Sequence, residues 1–155
     1  MVEMHQMVSQ TLEEGGLNRY EISNYAKPGF ESRHNLQYWR YGDYLGIGSG
    51  AVSFVNGKRW RTTRKLKHYL SCKWEYEDEE IIDPKTSLKE KWMMGLRLAE
   101  GVALGYHNKE WQSALFNWKE NGFLKQVIGR IQLTPKGFLV CNQITQNVFD
   151  LIDKI

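Results

Sequence analysis

The run His34-Asn35-Leu36-Gln37-Tyr38-Trp39 places a metal-competent imidazole within five residues of two large aromatic rings. Neutral imidazole donates a ring nitrogen to a metal, and aromatic faces give a flat apolar ligand a surface to lie against; an iron porphyrin needs both. His34 and Tyr38 stand at i and i+4, which share a face in a helix and in a strand alike. Spacing permits a common pocket without requiring one. The plainer reading is that a histidine beside aromatics is a packed, hydrogen-bonded residue.

A glycine segment follows. Gly46-Ile-Gly-Ser-Gly-Ala51 satisfies G-x-G-x-x-A, the spacing that seats a dinucleotide pyrophosphate on a helix N-terminus. That use needs a helix directly after the glycines. Ala51 to Val55 instead reads as strand, Asn56-Gly57 is a type I′ hairpin signal, and Lys58 to Thr62 is the return strand. The dinucleotide reading is rejected, leaving close backbone approach to a ligand or to a neighbouring segment. Six basic residues (Lys58, Arg59, Arg61, Arg64, Lys65 and Lys67) gather on the hairpin and beyond it. They could meet carboxylates of a ligand or partner, although a solvated basic face is the simpler account. His5, His68 and His107 lack metal-ligand spacing, and Cys72 and Cys141 sit in helical patterns as packed small residues. No nucleophile–base pair and no converging carboxylate pair emerges, so no catalytic residue is assigned.

The elements that must position these residues can be read from periodicity. Met4, Met7, Val8 and Leu12 recur at helical spacing and Gly15-Gly16 ends the run. Tyr20 and Ile22 alternate as a short strand, Pro28-Gly29 is a turn, and residues 31–42 read as a polar-aromatic loop. Residues 63–74 are helical, with Leu66, Tyr69 and Leu70 on one face. The acidic run from Glu75 to Asp83, closed by Pro84, reads as a solvated connector and a boundary. Beyond it, Ser87-x-x-Glu90 is a capping box for a helix burying Trp92, Met93, Leu96 and Ala99 and stopping near Gly101. Asn108 caps a helix carrying Trp111, Ala114, Leu115 and Trp118, which ends near Gly122. Arg130 to Leu133 is a strand. Thr134-Pro135 opens a final helix with Phe138, Cys141, Thr145, Val148 and Ile152 on one face.

At 155 residues the chain is long enough to bury a core. Its 21 basic and 18 acidic residues leave a net charge of +3, too little to favour nucleic acid or an anionic membrane. The expected final helix, from Lys136 on, carries two lysines and no arginine, a poor phosphate reader. Two cysteines, no leader-like N-terminus and no apolar run approaching a membrane span point to a cytoplasmic protein without a transmembrane segment. Six tryptophans and eight tyrosines serve packing or line a cavity for a flat ligand.

His34-Asn-Leu-Gln-Tyr-Trp39 resembles the H-N-x-x-Y-W signature of the HemW-like haem chaperones, which are radical S-adenosylmethionine (SAM) relatives of oxygen-independent coproporphyrinogen III oxidase. The likeness runs through Tyr20-Glu-Ile-Ser-Asn-Tyr-Ala-Lys-Pro-Gly29, Glu31-Ser-Arg33, Gly42-Asp-Tyr-Leu-Gly-Ile-Gly-Ser-Gly-Ala51, Met93-Met-Gly-Leu-Arg-Leu98 and Leu133-Thr-Pro-Lys-Gly-Phe-Leu139. These blocks keep the family's order from about residue 4 to the C-terminus. The resemblance implies a haem site in which His34 ligates the iron, a hydrogen bond on its other nitrogen fixes the tautomer, and Asn35, Tyr38 and Trp39 shape the pocket. It implies that Gln37, Gly48, Gly50 and Val52 line a SAM or substrate cavity. The fold class it implies is α+β. Residues 1–83 would be the remnant of the end of a radical SAM (β/α) partial barrel with a β-hairpin, and residues 84–155 a small helical, winged-helix-like C-terminal domain.

The family's [4Fe–4S] cluster sits on cysteines spaced C-x3-C-x2-C, a motif absent here, so the resemblance implies a C-terminal fragment inactive by itself. Its expected partners are the missing N-terminal radical SAM region, haem or a porphyrin, and a haem-receiving protein. One position departs from the pattern. HemW-like sequences commonly carry histidine directly after the alanine of the glycine segment, whereas this chain has Val52, closer to the oxidase branch. The function expected is haem binding and trafficking. Oxidative decarboxylation of porphyrinogen propionates is the alternative, and a winged-helix nucleic-acid module a remote third.

Overall fold

A computed structural model describes residues 2–71, 75–104 and 109–154. Helix α1 (Val2–Glu14) forms over the expected apolar repeat and ends where Gly16 takes a left-handed φ of 77°. Its Met4 and Met7 are exposed. Strands β1 (Asn18–Arg19) and β2 (Tyr25–Ala26) pair antiparallel. The strand expected over Tyr20 to Ile22 is therefore displaced. The Arg19 guanidinium donates to the Ile22 carbonyl and to the hydroxyls of Ser9 and Tyr25, folding residues 20–24 into the connection. Glu21 instead bridges to Leu98 in the second half of the chain.

The loop expected over residues 31–42 contains helix α2 (Arg33–Trp39). Ser32, in an extended conformation, accepts a hydrogen bond from the Asn35 amide at 3.3 Å and so supplies the N-cap. The hairpin is as anticipated: β3 (Val52–Val55) pairs with β4 (Lys58–Thr62), and Asn56 and Gly57 take φ of 50° and 74°. Helix α3 (Leu66–Leu70) covers part of the expected helix; Cys72 and the end of that segment lie outside the described residues.

The acidic run is no connector. Residues Tyr76–Ile81 form β5, the third strand beside β4. Cross-strand ion pairs join Lys58 to Glu79 at 2.6 Å, Arg59 to Glu80 at 2.7 Å and Arg61 to Asp78 at 2.9 Å. Arg59 stands directly opposite Glu80 while the other two pairs are offset along the strands, and opposite charges across an antiparallel pair favour that register. Lys58, Arg59 and Arg61 of the basic cluster thus meet carboxylates of the acidic run.

In the second half, α4 (Pro84–Gly95) starts earlier than the Ser87 capping box. The Asp83 carboxylate accepts from the Lys85 and Thr86 amides, and Pro84 fits the first helical position, which needs no N–H. The helix stops at Gly95, not Gly101. Gly101 turns the chain at φ 67°, where a Cβ would overlap the Ile131 carbonyl. Then come β6 (Val102–Ala103), α5 (Lys109–Glu120), β7 (Leu124–Val127), β8 (Arg130–Leu133), α6 (Pro135–Phe138) and α7 (Cys141–Asp153). The Asn108 cap lies outside the described residues.

Three strands, ordered β6-β8-β7, replace the single one expected. Ile128 and Gly129, at φ 46° and 72°, close the β7–β8 hairpin, and isoleucine there is no turn signal. Thr134 caps α6 with its hydroxyl on the Gly137 amide, as expected, but the chain breaks at Val140 before α7. The core lies here: Trp92 of α4 and Leu96 at its C-cap pack with Trp111 and Leu115 of α5, Ile131 of β8, and Ile144, Val148 and Ile152 of α7. Burial raises the Cys141 thiol pKa, consistent with its packed role. No described helix is long and apolar enough to cross a membrane.

Candidate functional site

Helix α2 carries the signature and divides it between two faces. His34 and Tyr38, one turn apart, meet edge to face with centroids 4.9 Å apart. Tyr38 in turn packs on Tyr44 at 4.5 Å, and Tyr44 on Phe54 at 6.1 Å. The result is a row of rings running from an exposed imidazole to the buried Phe54 of β3. Tyr44 was not singled out from sequence. It is fixed by reciprocal backbone hydrogen bonds with Phe54, at 2.7 and 2.9 Å, a contact no local pattern announces. Burial pushes the Tyr44 phenol pKa upward, with nearby Arg59 opposing.

The other signature residues turn elsewhere. The Asn35 side-chain amide donates to the Tyr20 hydroxyl at 3.4 Å, and Trp39 faces a cavity against the second half of the chain. The structure therefore brings His34 and Tyr38 together but does not gather Asn35 and Trp39 beside them. Neither nitrogen of His34 has a hydrogen-bond partner among the described residues, so the orienting bond expected on its second nitrogen is missing there.

The C-terminal end of α2 is closed by Tyr41, left-handed at φ 58°, which lets the Gly42 amide reach back to the Gln37 carbonyl at 2.9 Å. Gln37 donates its side-chain amide to the Asp43 carbonyl at 2.8 Å and lies over Gly42, where it locks the turn. The Tyr41 hydroxyl donates to Glu90 of α4 at 2.7 Å, and Arg59 of β4 donates to the same carboxylate oxygen at 2.5 Å. Burial first, and the Glu90 bond second, push the Tyr41 phenol up to about 12.

The glycines fold the backbone onto the chain itself. The Gly46 amide donates to the Ser53 hydroxyl at 3.0 Å, and a Cβ on Gly46 would overlap the Val52 carbonyl. The Gly48 carbonyl accepts from the Thr62 hydroxyl at 2.5 Å, while the Gly50 amide donates to the Thr63 carbonyl at 3.0 Å. Gly48 and Gly50, at φ 126° and 74°, take conformations that favour glycine. Val52 pairs with Arg61 across the hairpin.

As to bound groups, an exposed imidazole with a flanking ring suits a planar metal ligand. An iron–sulfur cluster does not fit: the sequence has two cysteines, Cys141 is buried, and no group of three His, Cys, Asp or Glu could hold a metal among the described residues.

No family model matches the chain. It is similar to the haem chaperone HemW of Lactococcus lactis, 31% identical across 99% of this chain and 42% of that protein. The Bacillus subtilis HemW is likewise 31% identical, across 92% of this chain and 41% of the relative. Against the Escherichia coli HemW the identity rises to 53% over 62 residues. Among solved structures, coproporphyrinogen III oxidase (HemN) from Escherichia coli, a radical SAM enzyme, superposes with a TM-score of 0.66. That match covers 94% of this chain and 39% of HemN at 16% identity, a likeness of fold. The chain thus spans about two-fifths of the length of the first relatives it matches. By sequence this chain is HemW-like, resembling the C-terminal part of the HemW haem chaperones, and its fold is like that of part of HemN.

Proposed function

We propose that this chain serves haem binding and trafficking as part of a HemW-like protein, with His34 as the iron ligand. The carrying observation is the exposed imidazole set edge-on to Tyr38 at the end of the Tyr38–Tyr44 ring row. The accessible imidazole would hold the iron through a ring nitrogen, and the adjoining rings would offer apolar surface to a macrocycle. Tyr44 joins Tyr38 in that role, while Asn35 and Trp39 hold the helix from its other face. Gln37, Gly48, Gly50 and Val52 act by shaping the turn and hairpin that would border a SAM or substrate cavity in a longer protein. Residues 1–83 and 84–155 form two units, the first completing a radical SAM partial barrel and the second winged-helix-like; the β6-β8-β7 sheet supports the latter. In a protein with the upstream region, the cluster and SAM would be held there, and a haem-receiving protein would be the partner. The cytoplasm is the expected compartment.

Haemin titration followed by visible absorption tests the ligand. A one-to-one complex with a shifted Soret band is expected, lost in His34→Ala and weakened several-fold in Tyr44→Ala. Unchanged haemin binding by His34→Ala would refute the assignment. Val52 favours a second reading, a part in porphyrinogen oxidation, because an aliphatic residue there departs from the HemW-like histidine. Porphyrinogen decarboxylation assayed with the cluster-bearing region present separates the two.

A further inference from the structure

On the other side of α2 lies a cavity of about 420 Å³ between the two halves of the chain. Half-buried Trp39 and Leu88 give it an apolar wall with buried Trp92 and Leu98 behind them, and Arg40, Lys91, Arg130 and Glu100 form its polar edge. Two of the cations are engaged. Arg40 grips the Glu100 carboxylate with two N–H donors at 2.9 and 3.1 Å. Arg130 approaches the same carboxylate at 3.5 Å and donates to the carbonyls of Glu100 and Gly101. Lys91 differs. Its ammonium stands 5.7 Å from the Tyr41 ring centroid, and no carboxylate lies within ion-pairing distance of it among the described residues.

Three cations against one carboxylate leave the lining with a surplus of two positive charges. The volume falls in the range of small-molecule sites, roughly 300–1,000 Å³. An anion beside an apolar wall is screened less by water, so the attraction gains strength there. A neutral aromatic would gain nothing from the surplus charge and a cationic one would be repelled by it. We propose that this cavity binds a small aromatic carboxylate, its ring against Trp39 and Leu88 and its carboxylate on Lys91. The Arg40–Glu100–Arg130 cluster remains intact as a fixed rim. The site is distinct from the proposed haem site, since neither His34 nor Tyr38 lines the cavity.

Isothermal titration of the 155-residue chain with 2-naphthylacetate, and with the neutral isostere 2-(2-naphthyl)ethanol, tests the proposal. The acid should bind with a Kd below about 1 mM and the alcohol about tenfold more weakly, the worth of one charge-assisted contact. Lys91→Met should bring the acid down to the alcohol's affinity, and Lys91→Arg should restore it. Lys91 is exposed on α4, so both variants should keep the wild-type melting temperature. Should Lys91→Met fail to fold, the acid–alcohol comparison on wild type decides alone. No saturable heat with the acid, or equal binding of acid and alcohol, or of acid by wild type and a folded Lys91→Met, would overturn the proposal.

Discussion

Glu90→Ala tests how the signature turn is held to the second half of the chain. The Glu90 side chain, 18% exposed, accepts from Arg59 at 2.5 Å and from the Tyr41 hydroxyl at 2.7 Å. A hydrogen bond between charged groups contributes about 1.5–3 kcal/mol and a neutral–charged one somewhat less, before partial exposure is discounted. Arg59 keeps Glu80 as a partner, so the deletion strands no buried cation. The expected loss is about 2 kcal/mol, or roughly 4–8 °C in melting temperature for a domain of this size. A second effect follows from the backbone. A non-glycine residue in the left-handed region costs about 1–2 kcal/mol, and Tyr41 is held there by Glu90 and by its packing on Phe54 at 4.8 Å. Without Glu90 that turn should loosen. The assays are urea unfolding and a tyrosinate absorbance titration. The Tyr41 phenol, pushed up to about 12 in the wild type, should move down toward 10.0 without reaching it, because burial, the larger cause, remains. A stability loss below about 0.5 kcal/mol with an unchanged highest tyrosinate step would refute the reasoning and class the cluster with inert surface pairs.

Two further perturbations probe the same junction. Glu100 has its pKa held below the ordinary 4.5, first by the Arg40 hydrogen bond, so its contribution is complete above the unfolded value and lost as pH falls through the folded one. Urea midpoints of wild type and Arg40→Met should therefore differ by a constant amount near neutrality and converge below about pH 4.5; a gap undiminished at about pH 3 would sink that account. Gly101→Ala forces a side chain into a left-handed position and onto the Ile131 carbonyl, so it should cost about 2–4 kcal/mol in urea unfolding. Stability within about 0.5 kcal/mol of wild type would refute the reading of Gly101 as a close-approach glycine.

The sequence displays elements whose order is local. The α1 repeat, the Asn56-Gly57 hairpin and the Thr134-Pro135 start each follow from a few neighbouring residues, and each formed. Where the outcome turns on distant partners, the local signal misleads. Glu75 to Asp83 is acidic and polar, and its segment Tyr76–Ile81 becomes a strand by pairing with β4, whose cations face its carboxylates. The β7 strand was missed because its turn is closed by Ile128 in a conformation isoleucine rarely takes. At the site, the i,i+4 spacing of His34 and Tyr38 permits a shared face without requiring one, and helix α2 makes the two rings meet. The scatter of Asn35 and Trp39 onto the opposite side was not legible, because a loop expectation carries no helical phase. Once Ser32 caps α2, a rotation of about 100° per residue sends adjacent members of one motif in different directions.

That division explains what the second half of the chain contributes to the first. Helix α2 has only seven residues, too short to be stable alone in water. Tertiary contacts must hold it, and three reach it or its flanks from beyond Asp83. Arg40 is gripped by Glu100, Tyr41 bonds Glu90, and the Ala99 amide donates to the Tyr20 carbonyl at 3.0 Å, one residue from the Glu21–Leu98 bridge. All three secure the C-terminal end of the helix or the β1–β2 connection that precedes it, and leave the face bearing His34 open. A motif spread over both faces of so short a helix is thus a mounting and a presentation in one. Asn35, Trp39, Arg40 and Tyr41 fasten the helix; His34 and Tyr38 are what it displays. On the proposed haem reading, loosening the fastening should lower haemin affinity without touching the imidazole, so Arg40→Met should weaken haemin binding while His34 remains in place.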